Sequence, residues 1–271
     1  MHPRLTQWFT PLQFGNEKVR YKEYSPTVEL RPFIACYWTV TSKQFAFDQK
    51  TQLKVLPDGC IDFVFHWHPS FGYVGNISGA MNQYADIPIH SGSDFIGIRF
   101  RPSGLRALFN VSVASYSDLS ITLSDIDKVW TNIQYQLTET TDRISLLNTV
   151  LLQRLKQTTS VQNDASITNL LHRIYLHQGN IKVQKLAEKE FMSSRHVQRL
   201  FMDWIGLSPK TFCRIVRLQY SLRFLYEKHE LMGAPISAEY GYSDQAHFIR
   251  EFRTYTGMTP SNYMSDFFKT N

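Results

Sequence analysis

The chain has 271 residues, 43% of them hydrophobic and 19% charged, with a net charge of +6. That length is room for about two domains of about 100–200 residues each, and the apolar fraction excludes a disordered polyelectrolyte. Three widely spaced cysteines, Cys36, Cys60 and Cys213, with no C-x-x-C spacing, argue against a disulfide framework and for a reducing compartment.

No apolar run reaches the roughly 18 residues of a membrane helix. Residues 1–8 lack the apolar core of a signal peptide. A soluble, cytoplasmic protein is therefore expected, with no membrane partner. The charge is unevenly spread: residues 165–271 carry 14 Lys and Arg against 9 Asp and Glu, nearly the whole basic surplus. A basic domain of this kind suits nucleic acid without proving it.

In chain order, residues 1–117 read as strands. Short β-rich runs at 33–41, 52–56, 61–67, 72–74 and 95–100 are punctuated by Pro, Gly, Asn and Asp. In 61–67 the odd positions Ile61, Phe63, Phe65 and Trp67 are all bulky and apolar, the period of two of a half-buried strand. Many short strands with turn signals predict a β-barrel or double-sheet roll. Residues 118–157 change to helical periodicity. Ile144, Leu147, Val150, Leu151 and Leu155 form one apolar stripe, which serves either a homodimer or a brace within the chain. Polar residues 158–165 read as a linker, and 166–268 as helical throughout. The expected architecture is α+β in two domains, the second all-α.

Two stretches of this last region share a pattern. Ser193 and Ser243 each look like a helix N-cap. The Ser193 helix carries Arg195, Gln198 and Arg199 on one side with Val197, Leu200 and Phe201 on the other. The Ser243 helix carries Gln245, Ala246, Ile249 and Arg250, with Phe248 and Phe252 opposite. Arg199 and Arg250 are equivalent, since Gly206 and Pro209 follow the first as Gly257 and Pro260 follow the second. Gln and Arg on a helix that packs by its other face can make paired hydrogen bonds to base edges in a major groove. A helix opening at Ser208-Pro209 joins the two units, and a short helix from Pro235 to Gly241 precedes the second.

The residues Leu186-Ala187, His196-Val197-Gln198-Arg199-Leu200-Phe201, Gly206-Leu207-Ser208-Pro209, Gly241-Tyr242-Ser243-Asp244-Gln245-Ala246-His247-Phe248, Arg250-Glu251-Phe252 and Gly257-Met258-Thr259-Pro260 resemble the DNA-binding domain of AraC/XylS-type bacterial transcription regulators. The resemblance spans both units in order. It implies double-stranded DNA as partner, base contacts from Arg195, Gln198, Arg199, Gln245, Ala246, Ile249 and Arg250, and RNA polymerase as a further partner of an activator. Phe191 stands where such domains usually have Gly in the turn before the first reading helix, a strained position for Phe if φ is positive there. Arg31-Pro32-Phe33, Leu56-Pro57-Asp58-Gly59-Cys60-Ile61-Asp62 and Gly97-Ile98-Arg99-Phe100-Arg101-Pro102 resemble the cupin-like sensor domain attached to many such regulators. That likeness implies a small-molecule effector and leaves its identity open.

For an effector site the candidates are Trp38, Asp62, Phe65, His66, Arg99 and Arg101, apolar walls with a few polar groups. The arginines would suit a carboxylate, or pair with Asp58 or Asp62. His66 and His68 with His90 could ligate metal, but no Glu follows at a cupin-like interval and a polar strand edge is the plainer reading, so neither metal nor cofactor is expected. Cys60 after Asp58-Gly59 reads as a turn leading into a strand rather than a nucleophile. An enzyme is not expected. A metal-dependent cupin enzyme fused to a DNA-binding domain and a ligand-independent DNA-binding protein stay as alternatives.

Overall fold

The computed structural model describes residues 19–43, 51–70, 72–116, 121–157, 164–228, 237 and 239–270. Its N-terminal half is built on a six-stranded antiparallel sheet in the order β1 (Val19–Tyr24), β2 (Ile34–Ser42), β7 (Asp94–Phe100), β4 (Ile61–His68), β5 (Gly72–Ser78), β8 (Ile121–Thr122). A second, two-stranded sheet pairs β3 (Thr51–Val55) with β6 (Ala85–Ile89). This is the double-sheet alternative of the expectation.

Alternation decides what each face does. Ile61, Phe63 and Phe65 of β4 and Ile96, Ile98 and Phe100 of β7 point to one side and are buried. Helices cover that side: α1 (Gly104–Phe109), α2 (Leu123–Ile126), α3 (Val129–Glu139) and α4 (Arg143–Gln157). Trp130 of α3 meets Phe63 edge-on at 5.0 Å between ring centres. The opposite side of the sheet carries Trp38 and Val40 of β2 with Asp62, Val64, Phe95 and Arg99 of β4 and β7, and the two-stranded sheet lies over it.

The stripe at 144–155 is spent on the chain's own core. Leu147 and Leu151 have no exposed surface, and Ile144, Val150 and Leu155 pack on the same cluster. For Leu147 and Leu151 this favours the brace of the two alternatives; Ile144, Val150 and Leu155 remain half-buried. Within 121–157, Leu123, Trp130, Ile133, Leu137, Leu147 and Leu151 pack on the N-terminal core.

The C-terminal half comprises α5 (Ala165–Leu176), α6 (Val183–Lys189), α7 (Ser194–Ile205), α8 (Pro209–Lys228), α9 (Gln245–Thr256) and α10 (Pro260–Thr270). Helical geometry returns at Ser237 and Glu239; the start expected at Pro235 lies outside the described residues. The repeated glycines do the same work twice. Gly206 and Gly257 end α7 and α9 at φ 82° and 77°, left-handed caps that glycine enters without steric cost.

The two halves touch at defined points. Gln219 Nε2 donates to the Pro57 carbonyl at 2.7 Å, and Arg106 pairs with Asp203 at 2.9 Å. Gly59 sits at φ +76° against the Phe212 ring, where a Cβ would fall 2.5 Å from Cε2.

Candidate nucleic-acid interface and cavity

The first of the two helices expected to read DNA, α7, starts where Ser193 Oγ accepts the His196 N–H at 3.2 Å. Its apolar side is fully used, with Val197, Leu200, Phe201, Trp204 and Ile205 buried. The remainder follows from the helical period: Arg195, Gln198 and Arg199 fall on the outer face and are exposed. The second, α9, is capped by Asp244, whose Oδ1 accepts the His247 N–H at 2.6 Å. The expected cap at Ser243 is thus one residue off; both residue types cap helices, and the carboxylate also favours the helix N-terminus electrostatically. Gln245, Ala246 and Arg250 are exposed and Ile249 half-buried, while Phe248 and Phe252 are core.

Glu251 does not share the exposed face of α9. It is 2% exposed and receives Arg214 Nε at 2.6 Å and Arg217 Nη2 at 2.7 Å, both from α8. Arg217 also donates to the Gly241 carbonyl just before α9. This buried carboxylate pins α9 to the connecting helix α8. The signal lay in the phase: 248, 251, 252 and 255 share one helical face, so an acidic residue at 251 had to be buried and paired.

Between the two sheets of the N-terminal half is a cavity of about 250 Å³. Of the six candidate effector residues, Trp38, Asp62 and Arg99 line it, with Val40, Val64 and Phe95 from the large sheet and Leu53, Ile87 and Ile89 from the small one. Phe65 does not: period-two alternation puts it on the helix-covered side, 6.0 Å from the Trp130 ring. His66 faces the cavity side of β4 but lies beside Phe95 beyond the lining residues; burial, then His68, lowers its pKa. Arg101 reaches the Arg31 carbonyl at 2.7 Å and is not part of the lining.

Arg99 is 4% exposed and is claimed by two carboxylates. Its Nε and Nη2 donate to Asp62 at 3.1 Å each, and Nε is 3.5 Å from Asp58. Asp58 in turn accepts the Cys60 N–H at 2.8 Å. Burial holds the Asp58 pKa above the ordinary carboxylate range, against the pull of Arg99.

A helix-turn-helix domain model matches residues 186–266, and a domain of unknown function, DUF6597, matches 22–122. The probable transcription factor PqrA of Proteus vulgaris is 34% identical over 83 residues, 31% of this chain and 67% of that protein. The chain belongs to the AraC/XylS-type helix-turn-helix family. An uncharacterized HTH-type transcriptional regulator of Haemophilus influenzae is 34% identical over 104 residues, covering 38% of this chain and 35% of that one. YobQ of Bacillus subtilis, another such regulator, is 28% identical over 140 residues, covering 51% and 56%. The chain thus spans between about a third and about half of the length of these last two relatives.

In this AraC/XylS-type domain the turn between α6 and α7 is held by Phe191, at φ 54° and 99% exposed. The strain expected from the sequence is therefore present, and no packing offsets it. A left-handed conformation costs an L-residue about 1–2 kcal/mol, part of which glycine returns through its larger unfolded-state entropy. Phe191→Gly is expected to raise stability by about 0.5–1 kcal/mol in urea titration, with DNA affinity unchanged; a destabilised variant would mean that the phenyl ring has a contact of its own.

The thiols are quiet. Burial pushes Cys213 up to about 12 and Cys60 well above its ordinary value, so neither offers a thiolate near neutral pH. Among the described residues no group of three or more His, Cys, Asp or Glu stands close enough to hold a metal ion. No helix among them is long and apolar enough to cross a membrane.

Proposed function

We propose that this protein is a sequence-specific, DNA-binding transcription regulator of the cytoplasm that reads two successive major grooves and is controlled by a small molecule in its N-terminal cavity. The observation that carries the first part is the pair of exposed Gln/Arg faces on α7 and α9, both fastened to one helix. α8 has 20 residues, about 30 Å at about 1.5 Å per residue. That frame, with its flanking turns, suits two grooves one DNA turn apart, about 34 Å. The names of the relatives, transcriptional regulators and a transcription factor, support the same reading. An activator of this kind would also contact RNA polymerase.

The test begins with genome-wide mapping of bound DNA to find the operator. Arg199→Ala and Arg250→Ala are each expected to cost about 1–3 kcal/mol of operator binding and to relax specificity at their own base pairs, with the fold intact. A double variant that binds the operator like wild type would remove α7 and α9 as the reading elements.

A further inference from the structure

We propose that the cavity between the two sheets takes an uncharged, largely apolar molecule, and that its occupancy reaches α8 through Arg99 and the Asp58–Gly59 turn. The second half of this proposal rests on the regulator reading above; the first does not.

Size and walls set the ligand's class. A dry apolar cavity of about 150 Å³ already binds benzene, and drug-sized pockets start near about 300 Å³. At about 250 Å³ this one has room for a substituted single ring or a short branched chain. Trp38, Val64 and Phe95 face Leu53, Met81 and Ile87 across it.

Charge then narrows the choice. Arg99 is the lining cation among the described residues, and its guanidinium is already bound bidentately by Asp62 with Asp58 beside it. Two acidic groups to one basic group leave no positive excess for an anion, which would have to displace Asp62 while being desolvated itself. A cation would find Asp62 occupied in the same way, and its ammonium group would lose its water among apolar walls. An uncharged molecule meets neither cost. The carboxylate ligand suggested by Arg99 and Arg101 is therefore set aside, because those arginines are not free to receive it: Arg99 is paired and Arg101 is engaged elsewhere.

The route outward is short. Arg99 borders the cavity and touches Asp58. The next residue, Gly59, lies against Phe212, and Pro57 accepts from Gln219. Phe212 and Gln219 are seven residues apart on α8, two helical turns, so they lie on one face. The turn thus docks on the helix that carries both reading units. A ligand that favours one placement of Arg99 biases this contact, and it alters DNA binding to the extent that it prefers one state.

The experiment uses the full chain and three ring compounds of similar size: acetophenone (uncharged), benzoate and benzylammonium. Calorimetric titration is expected to show acetophenone binding at least about tenfold more tightly than either ion, a difference of about 1.4 kcal/mol. Ile87 is 38% exposed at the rim, so Ile87→Trp should close the cavity without unfolding the domain, and acetophenone binding should be lost. Gln219→Ala should keep acetophenone binding and lose the change in operator affinity that acetophenone causes in wild type. Equal or tighter binding of either ion, undiminished binding by Ile87→Trp, or no binding of acetophenone at millimolar concentration overturns the ligand class. Coupling that persists in Gln219→Ala, or that is absent in wild type, overturns the route and leaves the class standing. A chain that binds acetophenone as described but no DNA would instead overturn the regulator reading.

Discussion

Glu251→Ala is expected to cost about 3–5 kcal/mol of stability and to abolish operator binding, the largest effect of any single change on the DNA-binding half. The carboxylate is 2% exposed and faces Arg214 and Arg217, with His247 Nε2 at 3.7 Å. Removing it leaves two like charges beside each other with their shared counter-ion gone. Arg217 bears most of that cost, because its side chain is 12% exposed and cannot turn to water, whereas Arg214 at 39% can be partly rehydrated. Glu251→Gln keeps the volume and one acceptor and should fall between wild type and Ala. The measurement is urea denaturation beside operator binding. Arg250→Ala is the control, since that side chain is exposed on the same helix and should weaken binding without lowering stability. If Glu251→Ala melts within about 1 kcal/mol of wild type, the paired arginines are not what seats α9.

Much of this half was legible in the sequence because one helical period fixes both faces. Once Val197, Leu200 and Phe201 are taken as core, Arg195, Gln198 and Arg199 must face out, and the structure places them so. The Gly and Pro punctuation was legible too, since a left-handed C-cap has few substitutes for glycine. In the N-terminal half the period of two separated the faces of β4 correctly. It did not say which face a cavity adjoined, so Phe65 was grouped with Trp38 although they lie on opposite sides of the sheet. The strand β6 was missed because Pro88 sits inside it, which a two-stranded edge tolerates. The stripe of α4 was seen, but an apolar stripe reads the same whether a second copy or the chain's own sheet covers it. The sequence offered Asp58 or Asp62 as partners for Arg99, and both are found; that Asp62 makes the paired contact is set by strand register, Asp62 standing opposite Arg99 in β4 and β7. No local pattern reports that register.

The second large effect is expected at that pair. Arg99→Ala should cost about 3–5 kcal/mol near neutral pH, because it strands Asp58 and Asp62 together in a buried site. Its pH dependence identifies the cause. In wild type, burial already holds Asp58 above its unfolded pKa while Arg99 pulls it down. A carboxyl group with a raised folded pKa binds its proton more tightly in the folded state, so stability falls as pH rises from the ordinary carboxylate range through the folded value. Without the guanidinium that folded value moves higher still, and the fall becomes deeper and extends to higher pH. The gap between wild type and Arg99→Ala should therefore be widest at neutral to mildly alkaline pH and narrow in mild acid, where the stranded Asp58 takes up its proton. Combining Arg99→Met with Asp62→Asn removes charge from both partners and should recover part of the loss. A gap that stays constant across that pH range would assign the loss to packing of the arginine stem rather than to charge. In that case an uncharged ligand would still fit the cavity, but Arg99 would have no electrostatic hold on the Asp58–Gly59 turn and could not carry its occupancy to α8.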